Sequence, residues 1–315
     1  MEKIGGRAFF VTGGAGFIGS NIAQLLLRKG ATVIVYDNLS SGKEEFASAL
    51  VEEGAEFIRG DVLDKQHLSD SMKGKGIDAV VHLAANPNVK LGALNPIEQG
   101  IVSTYNVLEA IRENGIGNIL FSSSGSIYGY AGVKPTPEDY GPLKPVSIYG
   151  AMKLGSEALI SAYSNLYKFN FYIFRFANVI GRHATHGVIF DFVKKLRSDG
   201  SHLDVLGNGG QKKSYIYVED CINGILHVYG KSEERENIFN LASNDQISVR
   251  EIAEMVVDKV APGAVIKYGD TKEGWAGDIT DNFISNRKAR EFGFSPGFSS
   301  REAVARTIDD IIGKG

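Results

Sequence analysis

One cysteine in 315 residues, Cys221, leaves no partner for an internal disulfide and fits a reducing compartment. Long apolar runs are missing too. None approaches the roughly 20 residues that cross a bilayer, and residues 1–6 are too short for a signal peptide. Positive charge is not in excess: 34 Lys and Arg face 37 Asp and Glu for a net charge of -3, which argues against a nucleic-acid partner. No repeat, low-complexity stretch or linker is found. A cytoplasmic protein with no membrane contact is expected. The rest is ordinary globular material, 43% hydrophobic and 23% charged, long enough for one large domain and a smaller lobe.

Residues 7–12 form an apolar run of strand length that leads into Gly13-Gly14-Ala15-Gly16-Phe17-Ile18-Gly19, and a helical pattern follows over 20–29. Gly14, Gly16 and Gly19 fit G-x-G-x-x-G, while Gly13, Gly16 and Gly19 fit G-x-x-G-x-x-G. Strand, glycine turn and helix in this order suit a pyrophosphate. The backbone can approach it closely, and the helix N-terminus offers free N–H groups and a positive dipole end. A second strand, 32–36, ends at Asp37. A carboxylate there can accept hydrogen bonds from both adenosine ribose hydroxyls and repels a 2′-phosphate, which points to NAD over NADP. Further strands at 55–59 and 78–83 alternate with helices. That alternation means an α/β fold with a doubly wound parallel sheet, its strand C-terminal ends along one edge. Small residues Ala84-Ala85-Asn86 after the fourth strand let a cofactor lie close. His82, inside that strand, reads as a buried structural histidine, and Lys90 as facing solvent or a phosphate. His183 and His186 have no acidic or cysteine neighbour, so no metal is expected.

Residues 118–121 read as a buried strand running out into Ser122-Ser123-Ser124-Gly125-Ser126. A helix over 147–168 carries Tyr149 and Lys153 one turn apart on one face. A phenol titrates at about 10 in water. An ammonium one turn away is expected to lower that value and make the phenolate a usable base, with a serine hydroxyl sharing the proton path.

Ser124, Tyr149 and Lys153 resemble the Ser-Tyr-Lys set of the extended short-chain dehydrogenase/reductases. Within them the chain resembles the NAD-dependent epimerase/dehydratase family from about residue 7 to the C-terminus. The resemblance implies a Rossmann domain over 1–177 and a substrate-binding lobe over 178–315, with about 213–245 returning to the first. It implies NAD held by Gly13, Gly16, Phe17, Ile18, Gly19, Asp37, Asn38, Leu39, Ser40, Ser41, Gly42, Asp61, Val62, Leu83, Ala84, Ala85, Ser122, Tyr149, Lys153 and Val179. It also implies a nucleotide sugar held by Ser124, Ser126, Tyr149, Asn178, Val188, Lys213 and Trp275. The implied reaction is 4-epimerisation, with UDP-galactose and UDP-glucose expected, in a homodimer built as a four-helix bundle from the 96–115 and Tyr149 helices. In the first of these, Ile101, Tyr105, Leu108 and Ile111 read as one amphipathic stripe.

Three positions depart from the family pattern. Ile101-Val102 stands for Asn-Val, where the asparagine lies near the nicotinamide ribose and Thr104 is a neighbouring hydroxyl. Lys213 replaces an arginine, keeping the charge but losing the bidentate fork. Trp275 replaces the arginine of Arg-x-Gly-Asp and can stack on a base or sugar without neutralising a phosphate. Related dehydratases carry Asp-Glu where Gly125 and Ser126 stand, so dehydration is not expected. Other readings are a UDP-glucuronate decarboxylase or epimerase, and a catalytically silent NAD-binding scaffold. Asp220 is expected to cap a helix over 221–229.

Overall fold

The computed structural model describes residues 4–85, 97–275 and 277–313. Asn86, Lys90 and Pro96 lie outside the described residues. In chain order the elements are β1 (Ala8–Thr12), α1 (Phe17–Arg28), β2 (Thr32–Asp37), α2 (Glu44–Glu52), β3 (Glu56–Arg59), α3 (Lys65–Met72), β4 (Ala79–His82), a π-helical turn (Glu98–Val102), α4 (Ser103–Glu113), β5 (Asn118–Ser124), α5 (Ile148–Tyr167) and β6 (Asn170–Phe176). There follow β7 (Asn178–Ile180), α6 (Val188–Ser198), β8 (His202–Val205), β9 (Lys212–Lys213), β10 (Tyr215–Tyr217), α7 (Val218–Lys231), β11 (Glu236–Leu241), β12 (Ile247–Ser248), α8 (Val249–Val260), β13 (Val265–Tyr268), β14 (Asp281–Asn282), α9 (Arg287–Glu291) and α10 (Ser300–Ile312). The chain forms two compact units. One comprises Met1–Ser124, Ile148–Arg175 and Ile225–Phe239; the other comprises Gly125–Ser147, Phe176–Gly224 and Asn240–Gly315.

The first unit is built on a sheet of order β11-β6-β5-β4-β1-β2-β3. The run β3-β2-β1-β4-β5 is parallel, with Phe9 opposite Val33 and Ala79. Strands buried on both faces need near-continuous apolar sequence, which Phe9-Phe10-Val11 and Val33-Ile34-Val35 supply. Successive side chains then serve opposite layers. Phe10, Ile34, Tyr36, Val80 and Phe121 pack with Leu68 and Met72 of α3, Val107, Leu108 and Ile111 of α4, and Ile160 of α5. Phe9 instead meets Tyr229 of α7 edge-on, with ring centroids 5.6 Å apart. Each such buried side chain contributes about 1.5–3 kcal/mol of transfer free energy. Strand order reverses between β1 and β4, the switch point at which ligands of doubly wound sheets bind.

The second unit has its own core, drawn from α6, β8, α8 and α10, with Phe192, Leu196, Leu203, Ile252, Val256, Val304 and Ile308 at its centre. Its strands form small separate sheets: β10-β7, β12-β9-β14 and β13-β8. Helices α8 and α10 start at capping boxes, Ser248 with Glu251 and Ser299 with Glu302. These follow the S-x-x-E pattern that satisfies two free backbone donors at once.

Two local expectations are corrected. Asp220 lies inside the first turn of α7, whose bounds are Val218–Lys231, and accepts the Phe298 N–H at 3.1 Å. A tertiary N–H therefore took the carboxylate that a cap would have used. The stripe on α4 is also split: Leu108 and Ile111 are fully buried, but Tyr105 is 40% exposed. A π-helical turn before α4 shifts Ile101 out of the register assumed from a 3.6-residue period.

Candidate active site

The glycine turn sits at the switch point. Gly13 has φ +69°, and a Cβ there would lie 2.8 Å from the Ala84 N, so β1 and the end of β4 touch through bare backbone. A Cβ on Gly19 would lie 2.0 Å from the Gly13 O, which is how α1 approaches the turn so closely. Helix α1 begins at Phe17 with Gly16 as its N-cap and no side-chain cap. Asp37, at the end of β2, accepts the Ala15 N–H at 3.0 Å and the Leu39 N–H at 2.8 Å, and burial raises its carboxyl above the usual range. It thereby fixes the loop holding Leu39, Ser40, Ser41 and Gly42 onto the glycine turn; Leu39 itself takes φ +61°. The Asn38 amide donates to Asp61 at 2.9 Å, and Asp61 also accepts the Leu63 N–H beside Val62. Gly13, Asp37, Asn38, Asp61 and Ala84 are thus brought to one edge of the sheet.

Strand β5 delivers Ser122 and Ser124, and α5 delivers Tyr149 and Lys153. Ser124 hydrogen-bonds the Tyr149 hydroxyl, and the Lys153 Nζ lies 5.8 Å from the centre of the Tyr149 ring. The ammonium donates to the Ser122 O at 2.6 Å and lies 4.8 Å from the centre of the Phe121 ring. The expectation of a lowered phenol is corrected. Burial pushes Tyr149 up to about 12, against a hydrogen bond from Ser124 that pulls it down. The same burial lowers Lys153 to about 8, opposed by the charge of Glu157. Desolvation penalises both charged forms, and sequence spacing carries no information about it.

Beneath this pair runs a polar chain that the sequence did not announce. Thr12 Oγ1 meets His82 Nδ1 at 2.8 Å, and His82 Nε2 meets Thr104 Oγ1 at 3.3 Å. Thr104 Oγ1 lies 2.7 Å from the Gly100 O and 3.0 Å from the Ser156 Oγ of α5, its one proton serving one of the two. The Thr104 hydroxyl is therefore bonded inside the fold. The π-helical turn also packs directly on α5. A Cβ on Gly100 would lie 2.8 Å from Met152 Cβ, and one on Gly155 would lie 3.2 Å from Ile101 Cδ1. Ile101 thus fills the gap over a helix glycine, which is a packing reason for an apolar residue there. Next to Lys153, Glu157 forms a buried ion pair with Arg175, Nη2 to Oε2 at 2.8 Å, and accepts from Ser123. The one available signal for Glu157 was its position one further turn along the Tyr149–Lys153 face.

His82 is held neutral: burial, with the nearby Lys153 charge, lowers it to about 3. An unfolded histidine titrates at about 6.5, so the unfolded chain binds the extra proton first. Stability from this group is complete above that value and is lost as pH falls from about 6.5 toward 3. Histidine NMR across pH 5–8 should accordingly show one imidazole, absent from a His82→Asn variant, that does not titrate.

In the second unit Ser126 lies in a 3-10 turn, Gly125–Tyr128, Asn178 opens β7 next to Val179, and Val188 opens α6. Asn178 donates to the Ser214 O at 3.1 Å. Lys213 pairs with Asp278 at 2.5 Å, so its charge is already matched within the chain. Trp275 lines a separate cleft with Tyr130. Among the described residues no group of three His, Cys, Asp or Glu is placed to hold a metal, and no helix is long and apolar enough to cross a membrane.

A doubly wound sheet with a glycine turn at its switch point, and a serine–tyrosine–lysine cluster at the end of β5, defines a dinucleotide-binding fold of the short-chain dehydrogenase/reductase type. The chain belongs to the NAD dependent epimerase/dehydratase family, whose model matches residues 9–242. It is 30% identical over 309 residues to a UDP-glucose 4-epimerase of Mycolicibacterium smegmatis, covering 95% of this chain and 96% of the relative. A solved UDP-galactose 4-epimerase is 35% identical, with TM-score 0.87 over 98% of this chain and 99% of that one. A UDP-glucuronic acid 4-epimerase variant from Bacillus cereus, solved with NAD and a fluorinated UDP-glucuronic acid, is 25% identical with TM-score 0.88 over 98% of this chain and 100% of that one.

Proposed function

We propose that this chain is an NAD-dependent 4-epimerase of a nucleotide sugar, interconverting UDP-galactose and UDP-glucose. The observation that carries this reading is the hydrogen bond between Ser124 and the Tyr149 hydroxyl, with the Lys153 ammonium beside the same ring. The glycine turn fits the cofactor: the bare backbone at Gly13 and Gly19 and the uncapped start of α1 make a cradle that any Cβ would fill. Gly13, Gly16, Phe17, Ile18 and Gly19 would hold the pyrophosphate, Asp37 the adenosine ribose, and Asn38, Asp61 and Val62 the adenine side. Gly19→Ala should then fail to retain NAD after purification, checked by the nucleotide released on denaturation.

NAD held in that cradle would supply reversible hydride chemistry at the sugar C4, and its positive ring charge would favour the phenolate. The protein's part is proton transfer and orientation. Tyr149 Oη takes the proton of the sugar 4-hydroxyl and returns it when the opposite face has been reduced. Ser124 Oγ donates to the phenolate and shares the proton path. Lys153, fixed on the Ser122 O, offsets the charge that develops on Tyr149. Ser126, Asn178, Val188, Lys213 and Trp275 are proposed to bind the nucleotide sugar. Gly125 and Ser126 support epimerisation over dehydration: neither can act as an acid or base near neutral pH, and a Cβ on Gly125 would lie a tight 3.1 Å from Ile284 Cγ2. Incubation of purified protein with UDP-galactose or UDP-glucose should give the other sugar by NMR, and no interconversion of either would contradict the reading.

A homodimer through α4 and α5 belongs to the same proposal. Their exposed residues include Tyr105, Leu166 (69% exposed) and Tyr167, an apolar surface of the kind that partners cover. Leu166→Glu should shift the protein from dimer to monomer in analytical ultracentrifugation.

A further inference from the structure

Thr12, His82, Thr104 and Ser156 are each at most 1% exposed, and all four lie in the first unit with Tyr149 and Lys153. Burial fixes the direction of their hydrogen bonds, because a polar group out of reach of water must be satisfied by the protein. Thr12 Oγ1 accepts the Ala84 N–H at 3.3 Å. Among the described residues, the acceptor within reach of its own proton is His82 Nδ1, at 2.8 Å. The neutral imidazole then carries its proton on Nε2 and gives it to Thr104 Oγ1. Thr104 Oγ1, Ser103 Oγ and Ser156 Oγ lie 2.7, 3.1 and 3.3 Å from the Gly100 O. The chain thus runs one way, from the end of β1 through β4 to one carbonyl of the π-helical turn.

Such turns are rare, and they occur as short bulges in α-helices, often at functional sites. Here three side-chain hydroxyls gather on one carbonyl of the bulge, and α5 rests on the same turn. Gly100 abuts Met152, Ile101 lies over Gly155, and Ser156 reaches the Gly100 O. Met152 follows Tyr149 by three residues, and Ser156 follows Lys153 by three, so they share that side of the helix. Seating α5 at these points sets its roll about its own axis. At the roughly 6 Å outer radius of a helix, a roll of about 10° carries a side-chain tip about 1 Å. A misplacement of that size costs about 10²-fold in rate.

Resting on the epimerase reading, we propose that His82 and Thr104 are positioning residues for the proton transfer. Held as the Nε2–H tautomer, His82 braces the π-helical turn through Thr104, and the turn sets the roll of α5 that aims Tyr149 and Lys153. Apolar packing alone tolerates several seatings of a helix, whereas a fully satisfied polar network specifies one. The buried histidine therefore serves the reaction without touching substrate or giving up its proton.

Thr104→Val and Thr104→Ser separate hydrogen bonding from packing, since the first keeps the volume and the second keeps the hydroxyl. With NAD-loaded protein and UDP-galactose, Thr104→Val should lower kcat about 10–100-fold with KM and bound NAD unchanged. Thr104→Ser should stay near wild type. His82→Phe should match Thr104→Val, and the double variant should be no slower than either, because both cut the same chain. Two readouts do not depend on turnover. Histidine nitrogen NMR should show His82 as the Nε2–H tautomer. The ζ-carbon resonance of Tyr149, assigned by its loss in Tyr149→Phe, should shift in Thr104→Val and stay in place in Thr104→Ser. A Thr104→Val variant with wild-type kcat, or with an unmoved Tyr149 resonance, overturns the proposal. So does an Nδ1–H imidazole, or a Thr104→Ser variant as slow as Thr104→Val. Wild-type protein that converts no nucleotide sugar would refute the epimerase reading instead, and the Tyr149 resonance would still decide the positioning.

Discussion

Tyr149→Phe is expected to lower kcat by about 10²–10⁴-fold, the usual contribution of a positioned acid–base group. The substitution deletes one oxygen. The ring keeps its place beside Lys153, and the Ser124 hydroxyl loses the partner it holds in the native protein. Substrate affinity and NAD content should change little, because the ring and the glycine turn are untouched. A stopped assay of UDP-galactose conversion, run beside a measurement of bound nucleotide, separates these quantities. A variant with wild-type kcat would move the base elsewhere in the molecule.

Glu157→Ala should produce the largest loss of stability. Arg175 and Glu157 expose only 5% and 7% of their side chains, so removing the carboxylate takes a buried guanidinium's anionic partner from it. Breaking such a pair costs about 3–5 kcal/mol, or roughly 5–8 °C in Tm for a chain of 315 residues. Replacing both partners, Glu157→Leu with Arg175→Met, should recover much of that loss. A second effect follows from Lys153. The Glu157 charge holds the ammonium up against burial, and the value is already lowered to about 8. Without Glu157 the lysine should deprotonate at lower pH, and the alkaline limb of the kcat profile should move toward acid. Thermal melts give the first result and the pH profile gives the second.

Some of this was legible from residue order. The β1 strand, the glycines and α1 follow one another with no gap, and only a close backbone approach explains Gly13 and Gly19 together. The spacing of Tyr149 and Lys153 fixed their helix face; the strand end gave a serine cluster, and the family resemblance singled out Ser124 within it. His82 was expected to be buried, because four apolar neighbours surround it in a strand. The misses share a cause. Spacing records which residues can be neighbours but not how much water surrounds them, so Tyr149 was expected to titrate low and is raised instead. Periodicity likewise assumes one helical pitch, and the π-helical turn at Glu98–Val102 breaks it. Asp220 looked like a cap because its tertiary partner, the Phe298 N–H, lies 78 residues away. The Glu157–Arg175 pair depends on two elements meeting, which neither local sequence reveals.

The central claim is that Tyr149, with Lys153 at its side and Ser124 bonded to it, moves one proton while the hydrogen on the same sugar carbon leaves and returns without reaching water. The direct measurement is conversion of UDP-galactose deuterated at C4 in ordinary water. The account predicts UDP-glucose with the deuterium still at C4. A product that has exchanged that deuterium for a solvent proton would contradict it.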